Sequence, residues 1–200
     1  MATRVYKLIG MWLITAALSC CGSTETGDGQ HIYILDDVKN NQLCGYTKES
    51  EWGPLAAEGD SGFTAVVISK KGVPVIVTVI AASEDTTNYD EYTLTADGSA
   101  IRLKRDLDDV TDRVSREQIW IIRAGRATKV SEAWSEYQTH KPVEQNRHVS
   151  GLNEYPVVVR RSDFPFSALL SDGHPERWPN GKRWVVGNMR ALAASAPKLK

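Results

Sequence analysis

The chain has 200 residues, 42% of them hydrophobic, with 24 Lys+Arg against 25 Asp+Glu for a formal net charge of −1, and three Cys. That balance, with no Lys/Arg run and no basic patch interleaved with aromatics, argues against nucleic acid as a partner. Three Cys, two of them adjacent, exclude a disulfide framework, and the lack of a phosphate-binding Gly-rich loop argues against a nucleotide enzyme.

Arg4 and Lys7 form a positive n-region, residues 8–19 are an uncharged run, and the run closes on Ala17-Leu18-Ser19-Cys20. A spanning helix needs about 20 apolar residues, so this order is that of a secretory signal and not of a permanent transmembrane anchor. The Cys at its end resembles the lipobox of bacterial lipoproteins, in which the Cys is acylated and becomes the first residue of the mature protein. The alternative is an ordinary cleaved signal peptide. Of the two adjacent thiols, Cys20 is favoured over Cys21 because the small Ser19 precedes it. The resemblance implies acylation and a membrane lipid as partner, and more than one acyl chain gives stable anchoring. Cys21, where an Asp would resemble the inner-membrane retention signal, directs the expectation to the outer membrane facing the periplasm, wherever the host has one. Residues 1–19 are thus expected to be a signal peptide. Residues 20–30, polar and Gly-containing, are expected to be a flexible tether, and residues 31–200 a single domain. Removing Arg4 and Lys7 with the signal leaves 22 basic against 25 acidic residues, a charge of −3.

Within the domain, Lys70-Lys71-Gly72, Ala96-Asp97-Gly98 and Arg123-Ala124-Gly125 each lie between strand-forming stretches, their glycines 26 and 27 residues apart. Gly supplies the positive φ that tight hairpins demand, and Asp-Gly is a strong hairpin signal. The spacing predicts a mainly β, antiparallel meander of hairpins in one domain. Residues 92–101 also resemble one unit of the tyrosine-aspartate hairpin repeats of secreted bacterial proteins; the other two turns lack the Tyr and the Asp. Residues 63–68 and 73–82, rich in Val and Ile, read as a central strand pair apolar on both faces. Residues 89–94 and 101–105 alternate as strands with one wet face. Leu107, Val110 and Val114 suggest a short helical turn after Asp106. Residues 118–122 read as a core strand, while Val130, Trp134 and Tyr137 beyond it fit either a strand or a helix face. Past His140 the prolines multiply; residues 155–160 read as a strand, Asn188 as the cap of a short helix near the C-terminus, and Phe164, Phe166, Trp178 and Trp184 as closing the base of the sheet.

Few residues carry chemistry on their pattern. Gly59-Asp60-Ser61-Gly62 is similar to the surroundings of the nucleophile in chymotrypsin-like proteases, but that family carries a His and an Asp earlier in the chain on a full barrel, and here the short stretch of mature chain before Ser61 holds His31 as its one His. Ser61 is therefore expected to be a turn residue. His31, His140, His148 and His174 have no metal-ligand spacing. Asp106, Asp108, Asp109 and Asp112 could offer oxygen ligands to Ca²⁺ but lack the Gly and Glu of an EF-hand loop, so a solvated acidic loop is expected. Cys44, between Leu43 and Gly45, reads as a small buried hydrophobe. No metal and no cofactor are expected. The expected function is that of a membrane-anchored exported lipoprotein, a non-enzymatic binding or envelope-assembly module for an envelope protein or an apolar ligand. The alternatives are a carrier of lipid or another apolar ligand in a curved sheet, as in the half-barrel lipoprotein carriers, and a small hydrolase using Ser61. An open apolar pocket on the concave face would favour the carrier, and a face packed by the chain's own aromatics the binding module.

Overall fold

The computed structural model describes residues 29–57, 61–83, 85–143, 156–171 and 175–186. Nine antiparallel strands form one open sheet: β1 (Gly29–Asp37), β2 (Gln42–Tyr46), β3 (Ser61–Lys70), β4 (Val73–Ala82), β5 (Thr86–Leu94), β6 (Ala100–Asp109), β7 (Val114–Arg123), β8 (Arg126–Glu136) and β9 (Lys182–Val186). From one edge to the other the order is β8-β7-β6-β5-β4-β3-β1-β2-β9. From β3 to β8 every strand pairs with the next, which is the meander that the glycine spacing predicts. Helix α1 (Glu49–Ala57) breaks the succession by carrying the chain from β2 back across the sheet, so that β3 pairs with β1 and β9 later closes the far edge.

The three glycines sit where hairpins need them. Lys71 and Gly72 have φ of 53° and 76°, and Ala124 and Gly125 have 49° and 73°, two consecutive left-handed residues that match the twist of the flanking strands; Gly98, at 83°, closes the longer β5–β6 turn. The helical turn suggested after Asp106 is instead the end of one strand and the start of another. Leu107 faces Arg116 and Asp109 faces Val114 in the β6–β7 register, with Arg113 (φ 53°) turning the chain. Alternation wins over the three-to-four spacing because Leu103, Leu107 and Val114 all reach the covered face of the sheet. Beyond Gly125 the open choice resolves as strand β8, with Val130 exposed beside a bulge.

One face of the sheet, here the inner face, carries Ile32, Ile34, Leu43, Phe63, Ala65, Val67, Val77, Tyr92 and Leu103. It is covered by residues 156–171 and 175–178, of which Phe164, Phe166, Leu169, Leu170 and Trp178 are all buried. Phe164 and Phe166 stack with centroids 5.2 Å apart, and Tyr92 meets Phe164 edge-on at 5.1 Å. Each such side chain contributes about 1.5–3 kcal/mol on leaving water. Trp178 lies directly on Gly45, where a Cβ would come within 2.6 Å of its ring, so only glycine permits the approach. Phe164, Phe166 and Trp178 close the sheet as expected, while Trp184 belongs to β9 and its side chain lies outside the described residues. The segment is not the strand expected over 155–160: residues 156–159 join no ladder, and Arg160 makes a single bridge to Ser99. The chain runs over the inner face here, and no sheet edge is offered to it. Val158 N–H donates to the Tyr92 hydroxyl at 3.3 Å, and Ala100 N–H to the Val159 carbonyl at 3.0 Å.

On the opposite face α1 covers β1 and β2. Trp52 is its anchor: the indole Nε1 donates to the Ile34 carbonyl at 3.0 Å and the ring lies 5.3 Å from Tyr33, with Leu35, Cys44, Tyr46 and Ala56 buried around it. Cys44 is the small buried residue expected, its thiol pushed up to about 12 by burial and then by the charge of Asp37.

Candidate functional site

Cys20, Cys21, the signal and most of the tether lie outside the described residues, as do His148, His174, the end of the chain from 187 and the helix expected there; β1 begins at Gly29, inside the span assigned to the tether. Ser61 is the first residue of β3, facing Asp37 in the register, and so is a strand residue and not the turn residue expected; β1 continues past a bulge and offers it a partner. His31 is exposed on β1, its Nδ1 3.3 Å from the Tyr33 hydroxyl, and His140 sits in the turn after β8 with φ 53°. The four aspartates do not make one acidic loop, because three of them belong to β6. Asp106 pairs with Lys104 at 2.9 Å, Asp108 accepts from the Ser115 hydroxyl at 2.6 Å, and Asp109 turns to the inner face and accepts from the Asp112 backbone N–H at 2.8 Å. Among the described residues no three His, Cys, Asp or Glu side chains are placed to hold a metal.

What the sequence reading missed is a polar half of the inner face. Asp90 on β5 and Arg105 on β6 are direct cross-strand partners, both within the covered face, and form a forked pair of bonds at 2.7 and 2.6 Å. Asn88 and Tyr92, two residues to either side on β5, add bonds to the same carboxylate at 3.2 and 3.5 Å. Across β7 and β8 the pattern continues. Gln118 donates to Glu132 at 3.0 Å, Lys129 bonds the same carboxylate, Arg116 approaches it at 3.9 Å, and the guanidinium of Arg116 lies 5.4 Å over Trp134. Burial alone would raise the Glu132 carboxyl; the bonds from Lys129 and Gln118, with the charges of Lys129 and Arg116, outweigh it and hold it below the usual carboxylate range. Burial, and then the charge of Asp90, push the Tyr92 hydroxyl well above its ordinary value. Asp90 with Arg105, and Glu132 with Lys129 and Arg116, match acid to base, an arrangement that orders a sheet face.

A cleft of about 630 Å³ opens at the β5–β6 turn, between that turn and the segment 160–171. One wall is ordered by Asp97, whose carboxylate accepts from the Thr95 hydroxyl, the Ser99 N–H and the Ser99 hydroxyl; those bonds lower its pKa. The other wall brings Arg160, Arg161 and Ser167. The two are locked together by the Ser99–Arg160 bridge and by Arg161 N–H donating to the Gly98 carbonyl at 2.7 Å. The signal that could have found this cleft was the doubled arginine after a valine run, and nothing in the sequence tied it to Asp97.

Comparison with known proteins finds no protein-family model, no curated protein and no solved structure that matches the chain.

Proposed function

We propose that the chain is an exported envelope lipoprotein, held to a membrane through acylated Cys20, whose β-domain is a non-enzymatic binding or assembly module. The observation that carries the choice among the readings is the filling of the inner face. An apolar cargo would need the surface over β1 to β5, and Phe164, Phe166, Leu169, Leu170 and Trp178 already occupy it. That packing supports the module over the lipid carrier. The anchor is supported by the order of Arg4, Lys7, the apolar run and Ala17-Leu18-Ser19-Cys20. The test is to express the full chain and its Cys20→Ser variant in a bacterial host and to follow size and fractionation. The reading expects the parent in the membrane fraction as a processed, acylated species and the variant as accumulated precursor. Equal processing of both would defeat the anchor. Stoichiometric labelling of the parent by a fluorophosphonate probe, abolished by Ser61→Ala, would overturn the non-enzymatic reading.

A further inference from the structure

We propose that the cleft beside the β5–β6 turn binds a polyol phosphate, with the phosphate on Arg160 and Arg161 and a hydroxyl of the ligand on Asp97. Its volume of about 630 Å³ is ample for such a molecule and falls in the usual span of small-molecule sites, roughly 300–1,000 Å³. No large apolar side chain lines it, which sets it apart from a lipid-tail or aromatic pocket.

The charges point to an anion. Two consecutive arginines line one wall, and among the described residues neither is held in an ion pair. The single carboxylate in the lining, Asp97, is engaged by Thr95 and Ser99, so the cleft keeps an excess of one positive charge. Arginine presents a rigid planar fork suited to phosphate oxygens. Two forks together with the Ser167 hydroxyl supply more donors than the two oxygens of a carboxylate can take, and a phosphate can use them.

The same carboxylate selects what the phosphate is attached to. Asp97 Oδ2 accepts one bond among the described residues, from Ser99 at 3.1 Å, and a carboxylate oxygen has room for about two. A ligand hydroxyl can donate there without bringing a negative charge against the carboxylate, as a phosphate group would. The site is also built before any ligand arrives. Arg161 is tied through its backbone to Gly98, and Gly98 leaves the Arg161 side chain room to lie along the turn, since a Cβ there would stand 3.2 Å from the Arg161 Cβ and 3.4 Å from its Nε. Leu169 and Leu170, buried in the core, fix the turn that carries Ser167. Preorganised walls lower the cost of binding.

The chemistry is shared by a free glycerol or sugar phosphate and by a phosphatidylglycerol headgroup. The inference rests on the binding-module reading, and the experiment separates the two. The full chain in a neutral maltoside detergent is titrated calorimetrically with glycerol 3-phosphate, with inorganic phosphate, and with dioctanoyl phosphatidylglycerol in the same micelles. Saturable binding of glycerol 3-phosphate, tighter than inorganic phosphate, is expected if the ligand is soluble; binding of the phospholipid alone assigns the headgroup. Arg160→Gln and Arg161→Gln should each weaken the bound probe by about tenfold or more, as loss of a charge-assisted hydrogen bond does. Asp97→Asn should weaken glycerol 3-phosphate and leave inorganic phosphate bound as tightly or more tightly. Failure of both polyol probes to saturate, or unchanged affinity in both arginine variants with native circular dichroism, would overturn the site. Equal loss of both phosphates in Asp97→Asn would overturn the polyol assignment. A chain acylated at Cys20 that binds no probe would leave the anchor standing, and probe binding by a chain with no acylation would do the reverse.

Discussion

Replacing Arg105 by Met tests whether the polar half of the inner face is an ordered interior or a wet surface. The Asp90 carboxylate, 3% exposed, accepts two bonds from Arg105 and would retain only Asn88 and Tyr92 as donors, one of them at 3.5 Å. Breaking a buried pair from one side costs ~3–5 kcal/mol, because the other charge stays out of water without compensation. For a domain of this size each kcal/mol moves Tm by about 2–4 °C, so a fall of roughly 6–20 °C is expected. Removing both charges behaves differently. Asp90→Leu with Arg105→Met leaves no buried charge at this register pair, and well-packed apolar replacements of buried pairs are often neutral, so the double variant should recover to within ~2 kcal/mol of the parent. Urea unfolding at pH 7, followed by tryptophan fluorescence, gives all three values. A single variant that loses less than ~1 kcal/mol, the worth of an exposed pair, would refute the reasoning. So would a double variant no more stable than the single.

Two further predictions concern local geometry and pH. Gly125 and Gly98 share a left-handed φ, of 73° and 83°, but nothing lies within 4 Å of a Cβ at Gly125 while Arg161 stands 3.2 Å from one at Gly98. Gly125→Ala should therefore cost only the conformational term, ~1–2 kcal/mol, and Gly98→Ala measurably more in the same denaturation assay; equal losses would show that Arg161 yields freely. Asp36 is buried on the inner face, and burial, with the charge of Asp37, raises its carboxyl above the ordinary value. The folded state then holds the proton to higher pH than the unfolded state, so this group's contribution to stability falls as pH rises from about 4 through the raised pKa and is flat beyond it. Asp36→Asn should remove that decline and stabilise the protein at pH 7 relative to pH 4; a variant with the parent's pH slope would contradict the assignment.

Much of the sheet was legible because its turns are chemically marked. Gly72, Gly98 and Gly125 announce left-handed positions, and strand-forming stretches flank each of them. Helix α1 was not legible, since Gly53 and Pro54 interrupt its nine residues and only Trp52 and Ala56 are buried. The helical reading after Asp106 failed for a related reason: Leu107 and Val114 satisfy either period, and only the cross-strand register decides. Register also hid the polar face. Asp90 and Arg105 lie in strands read as having one wet face, and they become a buried, matched pair only when β5 and β6 are laid side by side. The cleft was hidden by distance along the chain, Asp97 and Arg161 meeting only because the segment after 155 returns across the sheet.

The central claim, an exported module held by lipid, is tested most directly by the mass of the N-terminal peptide of the protein recovered from bacterial membranes. A peptide that begins at Cys20 and carries acyl mass, released by hydroxylamine or base in proportion to its ester-linked chains, is the result expected. An unmodified amino terminus, or cleavage at any other residue, would contradict it.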